Sequence, residues 1–403
     1  LEEVNKPSKG GEMKQKVAVR ILLCCILFVL CCSPVFAQIK IGAIMDESGK
    51  TADVGLPMAW GIQDYITYLN DHGGINSQRI ELLLEDEKYD ATIARNAYIK
   101  IRDAGAIAIL GWSTGASKGL LPEINANKIC WFSASMDEGL INPVRAYNFI
   151  PGATYTQQFT ALLQYAAEHP KQMGAKVKVA IIYNTSPFGI SALESGTAKA
   201  AALGLDLVAK EIVELSATDV TEQIERIKAL NPDYVIIQET GAPTIKIINS
   251  CFKAGFKTTI MGTFYSGDES VIKNSTEALS NGVELIVTSV YSRWYETNVP
   301  GMKEIKEFTA KNRADLKEIP ITYIQGWIMA KIYAEALKKA GDNPTRESFQ
   351  KALESLDNFD TGGLMDTVDF SATDHIAANG VKILKADAQT GRFAPLTDWI
   401  KIK

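Results

Sequence analysis

The sequence predicts an α/β protein of two domains, each a parallel sheet flanked by helices, with a cleft between them. Three observations carry this. Short apolar runs alternate with amphipathic stretches in two successive blocks from Gln38 onward. With 403 residues and 46% hydrophobic content, the chain can bury more than one core. Strands that are apolar throughout and joined by helical crossovers belong to parallel sheets covered on both faces, with binding loops at their carboxyl ends.

In the first block, "IKIGAIM" (39–45) is the opening strand. The helix after it shows in the spacing of Trp60, Ile62, Tyr65, Ile66 and Leu69, and stops at Gly73-Gly74, residues suited to the positive φ of a helix terminus. "RIELLLED" (79–86) is the next strand, and "TIARNAYIKIRDAG" (92–105) is a helix again ended by glycine. "AIAILG" (106–111) and "KICWFSAS" (128–135) are strands on either side of the helix-like "SKGLLPEINAN". "AYNFIPG" (146–152) closes the block.

The second block repeats the alternation. Its strands are "VKVAIIYN" (177–184), "LDLVAKEIVE" (205–214), "DYVIIQE" (233–239), "TTIMGTF" (258–264) and "VELIVTSV" (283–290). "GISALESGTAKAAALG", "DVTEQIERIKALN" and "APTIKIINSCFKAGF" are the helices between them. Beyond it, "YIQGWIMAKIYAEALKKAG" (323–341) and "RESFQKALESL" (346–356) are helices. "GVKILKADAQTGRFAPLTDWI" reads as a hairpin with Gly391 near its turn, so the tail adds helices to one lobe and an edge ribbon to the other.

The N-terminal segment reads as an address. Lys14, Lys16 and Arg20 precede the apolar run "ILLCCILFVLCC" (21–32), and "SPVFA" offers a cleavage site after Ala37, with Val35 two residues before it. The run is shorter than the ~20 residues a spanning helix needs. Residues 1–37 are therefore an N-terminal extension and signal peptide with Met13 as the expected start, and a periplasmic or other extracytoplasmic location is expected. A lipoprotein variant at Cys31 or Cys32 has weak support, since only another cysteine stands as a small residue before either. Four of the six cysteines leave with this segment, and Cys130 and Cys251 are expected to be separate buried thiols.

Composition excludes several classes. The net charge is −5, and no basic block is interleaved with aromatics, so nucleic acid is not an expected partner. The three histidines, His72, His169 and His375, have no metal-binding spacing, so neither a metal nor another cofactor is expected.

One motif points to chemistry. Gly111-Trp112-Ser113-Thr114-Gly115 fits G-x-S-x-G, the nucleophile elbow of serine hydrolases, and a strand leads into it. A secreted serine esterase using Ser113 is thus one reading. It needs an oxyanion loop after a strand, but His72-Gly73-Gly74 follows a helix, and the downstream Asp374-His375 lies in an irregular stretch. A binding reading asks for less: a serine hydroxyl and free N–H groups at a strand-to-helix turn hold an anion without a base. The next strand ends in "FSASMDEG", where Ser133, Ser135 and Asp137 put an acid beside that serine loop, as a zwitterion requires.

In this order, these stretches resemble the exported substrate-binding proteins of ATP-driven amino-acid importers, the branched-chain (Leu/Ile/Val) type. "IKIGAIMDESGKTADVGLPMAWGIQDYITYLNDHGGINSQRIELLLEDEKYDA", "ILGWSTGAS", "WFSASMD", "YNFIPGATYTQQ" and "YNTSPFGISAL" carry the resemblance over nearly the whole mature chain. It implies a two-lobed periplasmic-binding-protein fold of type I with three crossovers, one lobe from 38–153 plus 290–372 and the other from 154–289 plus 373–403. It also implies a monomer that catalyses nothing, captures an amino acid or related small carboxylate or amide, and delivers it to a membrane permease. A sensor of the same fold docking a receptor is the alternative.

By resemblance, Ser113 holds the ligand's carboxylate, helped by N–H groups around Ser135 and Asp137, and Phe188 takes the place of a tyrosine lid. The acid expected after the "MG" strand end is replaced by Thr263-Phe264-Tyr265, so an ammonium partner must come from Asp137, Glu239 or Asp268. Trp112, Phe264 and Tyr265 then form an aromatic wall for an enlarged ligand, and Thr114, Met136 and Tyr155 complete the expected contacts.

Overall fold

The structure, a computed structural model, describes residues 38–402. The expected signal peptide, with its cysteines, lies outside the described residues. Two α/β lobes face each other. The first sheet is built from β1 (Ile39–Met45), β2 (Ile80–Asp86), β3 (Ala108–Gly111), β4 (Cys130–Ser133) and β5 (Asn148–Phe149). Their order is β2-β1-β3-β4-β5 and every pair is parallel. Its crossovers are α1 (Ala52–Asp71), α2 (Ala91–Asp103) and the short α3 (Thr114–Gly119) and α4 (Leu121–Asn127).

The chain then enters the second lobe through α5 (Tyr155–Glu168), which starts with a capping box in which Thr154 and Gln157 satisfy each other's backbone N–H groups. There β6 (Lys178–Tyr183), β7 (Asp206–Ile212), β8 (Tyr234–Gln238), β9 (Thr259–Gly262) and β10 (Glu284–Ser289) alternate with helices. These are α6 (Leu193–Ala202), α7 (Thr221–Leu230), α8 (Gly241–Lys253), α9 (Glu269–Lys273) and α10 (Thr276–Ser280). After β10 the chain returns to the first lobe as α11 (Pro300–Asn312), α12 (Ile321–Ala340) and α13 (Arg346–Glu354). It crosses a third time into β11 (Gly380–Asp387), β12 (Arg392–Pro395) and β13 (Ile400–Lys401). The second sheet runs β12-β11-β10-β9-β8-β6-β7, with β13 on β11; β11 is antiparallel to both β10 and β12, so the C-terminal hairpin is the edge ribbon.

Close packing of α12 on α1 anchors the first lobe. Gly61 faces the carbonyl of Tyr323, and Gly326 faces that of Met58, each so near that a Cβ would sit within about 2.2 Å of the opposing oxygen. Two helices meet here backbone to backbone. Among the described residues no helix is long and apolar enough to cross a membrane. Cys130 and Cys251 are unpaired and buried, and burial pushes both thiols up, Cys251 to about 12.

Three sequence-level expectations change in detail. "SKGLLPEINAN" is not one helix: α3 ends at Gly119 and α4 starts at Leu121, where Pro122 fits a first turn because its missing N–H is not needed there. Only Asn148–Phe149 of "AYNFIPG" pairs as strand. "TTIMGTF" leaves its sheet after Gly262, and a single turn of 3₁₀ helix over Phe264–Ser266 carries Tyr265 toward the other lobe.

Candidate ligand-binding site

The strands' carboxyl ends of both sheets meet around a small cavity. Parallel α/β sheets bring their binding loops to this end, so the position follows from topology.

The first lobe contributes a hydroxyl-rich wall. Beyond β1, the Asp46 carboxylate accepts from the Gly49 and Thr51 N–H groups and from Thr51 Oγ1 at 2.7 Å, fixing Thr51 at the cavity. Thr51 Oγ1 in turn accepts from Trp112 Nε1 at 2.8 Å. Beyond β3, Ser113 caps α3, its Oγ accepting from the Ala116 N–H. The Thr114 and Ser135 hydroxyls share a hydrogen bond of 2.6 Å. Beyond β2, Lys88 and Tyr89 both stand at positive φ, 51° and 55°. Side chains rarely accept that conformation; here it turns Tyr89 into the cavity, where its hydroxyl donates to Ser186 Oγ of the opposite lobe at 3.3 Å.

The second lobe supplies Phe188, Thr240 and Tyr265. Tyr265 reaches furthest: its hydroxyl donates to the Ala134 carbonyl at 2.9 Å and lies 3.1 Å from Gln325 Nε2, both in the first lobe. The rings interlock edge to face, with Trp112 and Tyr265 centroids 5.5 Å apart, Tyr155 and Phe188 5.3 Å, and Phe188 and Tyr265 5.9 Å. Burial pushes the Tyr89 phenol up to about 12, and those of Tyr155 and Tyr265 higher still, so all three are neutral.

Of the residues expected from sequence, Trp112, Ser113, Thr114, Ser135, Tyr155, Phe188 and Tyr265 line the cavity. Met136, Asp137, Glu239, Phe264 and Asp268 do not. Met136 and Phe264 are fully buried, Phe264 packing behind Tyr265 with centroids 4.9 Å apart. Asp137 is committed to Lys118 at 2.8 Å and to the Gly139 N–H at 2.8 Å. Asp268 accepts from the Ser270 and Ile321 N–H groups. Glu239 is buried against the Asn184 amide at 3.0 Å, and desolvation holds its carboxyl well above the ordinary range. The N–H groups of Ser135 and Asp137 are likewise taken, by Ser133 Oγ and Ser135 Oγ.

Sequence reasoning missed Thr51, Tyr89 and Thr240. A clue existed for two of them: Thr240 stands just after "DYVIIQE", and Tyr89 lies in "EDEKYD" at another strand end. As for the esterase arrangement, no histidine lines the cavity. His72 and His169 bond the carbonyls of Tyr68 and Tyr165 one turn back, and His375 is held between the Asn148 carbonyl and Glu354.

Behind Ser113 lies Glu87, fully buried, with Oε1 accepting the Ser113 N–H at 3.3 Å and Oε2 without a partner among the described residues. Desolvation raises its carboxyl from 4.5 to about 8, the Ser113 hydrogen bonds only partly offsetting it. Between those values the folded chain keeps a proton that the unfolded chain releases. This contribution to stability is therefore complete below about pH 4.5 and is lost as pH rises through about 8. Glu87→Gln keeps an acceptor for Ser113 and removes the titration. We expect its melting temperature to vary less than that of the unsubstituted chain from about pH 5 to 8.5, and to be higher at the alkaline end. Melting curves across that range check this, and an unchanged slope would exclude Glu87 as its source.

Comparison with known proteins agrees with this architecture. The chain matches the periplasmic binding protein family over residues 38–392. It is 21% identical over 318 residues to the Leu/Ile/Val-binding protein homolog 7 of Brucella abortus (strain 2308), covering 76% of this chain and 78% of that one. Its structure is similar to that of a branched chain amino acid ABC transporter from Thermus thermophilus with bound valine. There the TM-score is 0.84 at 26% identity, covering 91% of this chain and 97% of that one. A fatty acid ABC transporter substrate-binding protein from Thermomonospora curvata has the same fold, with a TM-score of 0.80 at 22% identity, covering 90% and 92%. With a family match spanning both lobes and a cavity built from both, the chain belongs to the periplasmic binding protein family.

Proposed function

We propose that this chain is the extracytoplasmic substrate-binding component of an ABC importer. It captures a small carboxylate or amide between its lobes, amino acids included, and delivers it to a membrane permease without altering it. One observation carries the reading: hydroxyls of Ser113, Thr114 and Ser135 on one lobe face Phe188, Thr240 and Tyr265 of the other across a single cavity. A ligand touching both walls favours the closed arrangement of the lobes, which gives a permease something to recognise. We assign residues 38–153 with 290–372 to the first lobe and 154–289 with 373–403 to the second. We read residues 1–37 as the export signal, which supports a periplasmic location. The relatives' names support import of amino acids, while the protein from Thermomonospora curvata is described as a fatty acid ABC transporter substrate-binding protein.

The test is a thermal-shift screen of the chain from Gln38, unfolded and refolded beforehand, against amino acids, small amides and carboxylates. A ligand at 100 times its dissociation constant adds ~2.7 kcal/mol and raises the melting temperature by several degrees. Ser113→Ala should weaken binding of a carboxylate by about 1.5–3 kcal/mol, the value of a hydrogen bond to a charged group. An ester hydrolysis shown by the unsubstituted chain and abolished in Ser113→Ala would instead establish an enzyme.

A further inference from the structure

We propose that the ligand is an aromatic carboxylate that carries no ammonium and presents a neutral hydrogen-bonding group, such as a ring hydroxyl, to Thr240. This rests on the capture reading above and narrows its ligand.

Charge is the first ground. The cavity is lined by aromatic rings and hydroxyls, and no side chain of Asp, Glu, Lys, Arg or His lines it. Of the carboxylates near it, the aspartates are bonded to other groups of the chain. Asp46 is spent on Gly49 and Thr51, and Asp137 on Lys118. Asp268 is spent on two backbone N–H groups, and Asp53 accepts the Ala242 N–H at 2.9 Å and lies against the Thr240 hydroxyl. Glu87 and Glu239, buried behind Ser113 and against Asn184, do not line the cavity; each keeps one oxygen unpartnered among the described residues, and desolvation raises both carboxyls toward the neutral form. An amino acid would therefore bury its ammonium with only hydroxyls and ring edges around it. Burying a charge without an opposite partner is strongly unfavourable.

Thr240 is the second, independent ground. It is 3% exposed and lines the cavity; its Oγ1 makes no well-aligned hydrogen bond among the described residues, although the Asp53 carboxylate stands beside it. Although Thr240 stands at the N-terminus of α8, its hydroxyl makes no bond to that helix. A buried hydroxyl left unpaired costs free energy, so one facing a binding cavity marks where a ligand's polar group belongs. It lies on the opposite lobe from Ser113, so a ligand spanning the two is polar at both ends. Between them stand the edge-to-face rings of Trp112, Tyr155, Phe188 and Tyr265, which pack best on a flat aromatic body.

Matched pairs test this by titration calorimetry on the refolded chain from Gln38. 3-Phenylpropanoate is compared with L-phenylalanine, 3-(4-hydroxyphenyl)propanoate with L-tyrosine, and 4-methylpentanoate with L-leucine; each pair differs only by the ammonium. We expect the ammonium-free aromatic acids to bind at least about 100-fold more tightly than their partners, the order of penalty for an unpaired buried charge. We expect the hydroxylated acid to bind best and to lose about tenfold in Thr240→Val, with 3-phenylpropanoate losing clearly less. An amino acid binding as well as its ammonium-free partner, or a Thr240→Val that weakens both aromatic acids equally, overturns this proposal and leaves capture standing. Silence of the whole panel, together with silence in the wider screen, overturns both.

Discussion

Gly326→Ala should lower the melting temperature by many degrees, through a loss of about 3 kcal/mol or more. The sign is diagnostic. Alanine is favoured over glycine in a helix interior by about 1 kcal/mol, so propensity alone predicts stabilisation. Packing decides otherwise: a Cβ at Gly326 falls 2.2 Å from the Met58 carbonyl oxygen, and one at Gly61 falls 2.0 Å from that of Tyr323. Both obstacles are backbone, so no side chain can swing aside, and α1 and α12 must separate. Because both substitutions part the same pair of helices, Gly61→Ala and Gly326→Ala together should cost less than the sum of the two alone. Scanning calorimetry of the single and double variants checks both points, and a stabilised Gly326→Ala would mean the helices do not approach this closely.

Trp112→Ala should weaken binding of 3-phenylpropanoate by about 2 kcal/mol or more, the loss typical of a buried aromatic anchor. Trp112 is 5% exposed, and one side of its ring packs edge-on to Tyr265. Its Nε1 closes a chain of hydrogen bonds through Thr51 to Asp46, which ties the wall of the cavity to the end of β1. Truncation empties the site and also destabilises the lobe, so the measurement needs a partner. Trp112→Phe keeps a smaller ring against Tyr265 and gives up the N–H together with the indole's second ring. It should fall between the two, losing about 1 kcal/mol. Equal losses in the two variants would place the effect in the Thr51 hydrogen bond and the indole's second ring rather than in the ring kept against Tyr265.

Much of this arrangement was legible in the sequence. The alternation of apolar runs with amphipathic stretches gave the two sheets because strand and helix periods differ, and burial on both faces leaves little choice of residue. Trp112, Ser113, Ser135, Phe188 and Tyr265 were traceable for a related reason: each follows closely on a strand, and parallel sheets gather such positions at one end. That the three candidate acids do not line the cavity was not traceable. Asp137, Glu239 and Asp268 also follow strands, and nothing local distinguishes an acid facing a cavity from one facing Lys118, Asn184 or a helix N-terminus.

The sequence by itself determined the order of elements, the parallel sheets and the end of each sheet where a ligand could sit, because these follow from short-range periodicity. Only the tertiary structure decided the character of the cavity. Tyr89 enters it because Lys88 and Tyr89 take positive φ, and Thr51 because Asp46 gathers the loop after β1. Thr240 meets Ser113 across the cleft only because the two lobes face each other. The lining is neutral because the neighbouring aspartates are bonded elsewhere in the chain and Glu87 and Glu239 are buried behind it. Such pairings join residues far apart in sequence, and the free energy that selects them, desolvation balanced against hydrogen bonding, exists only once the chain has folded.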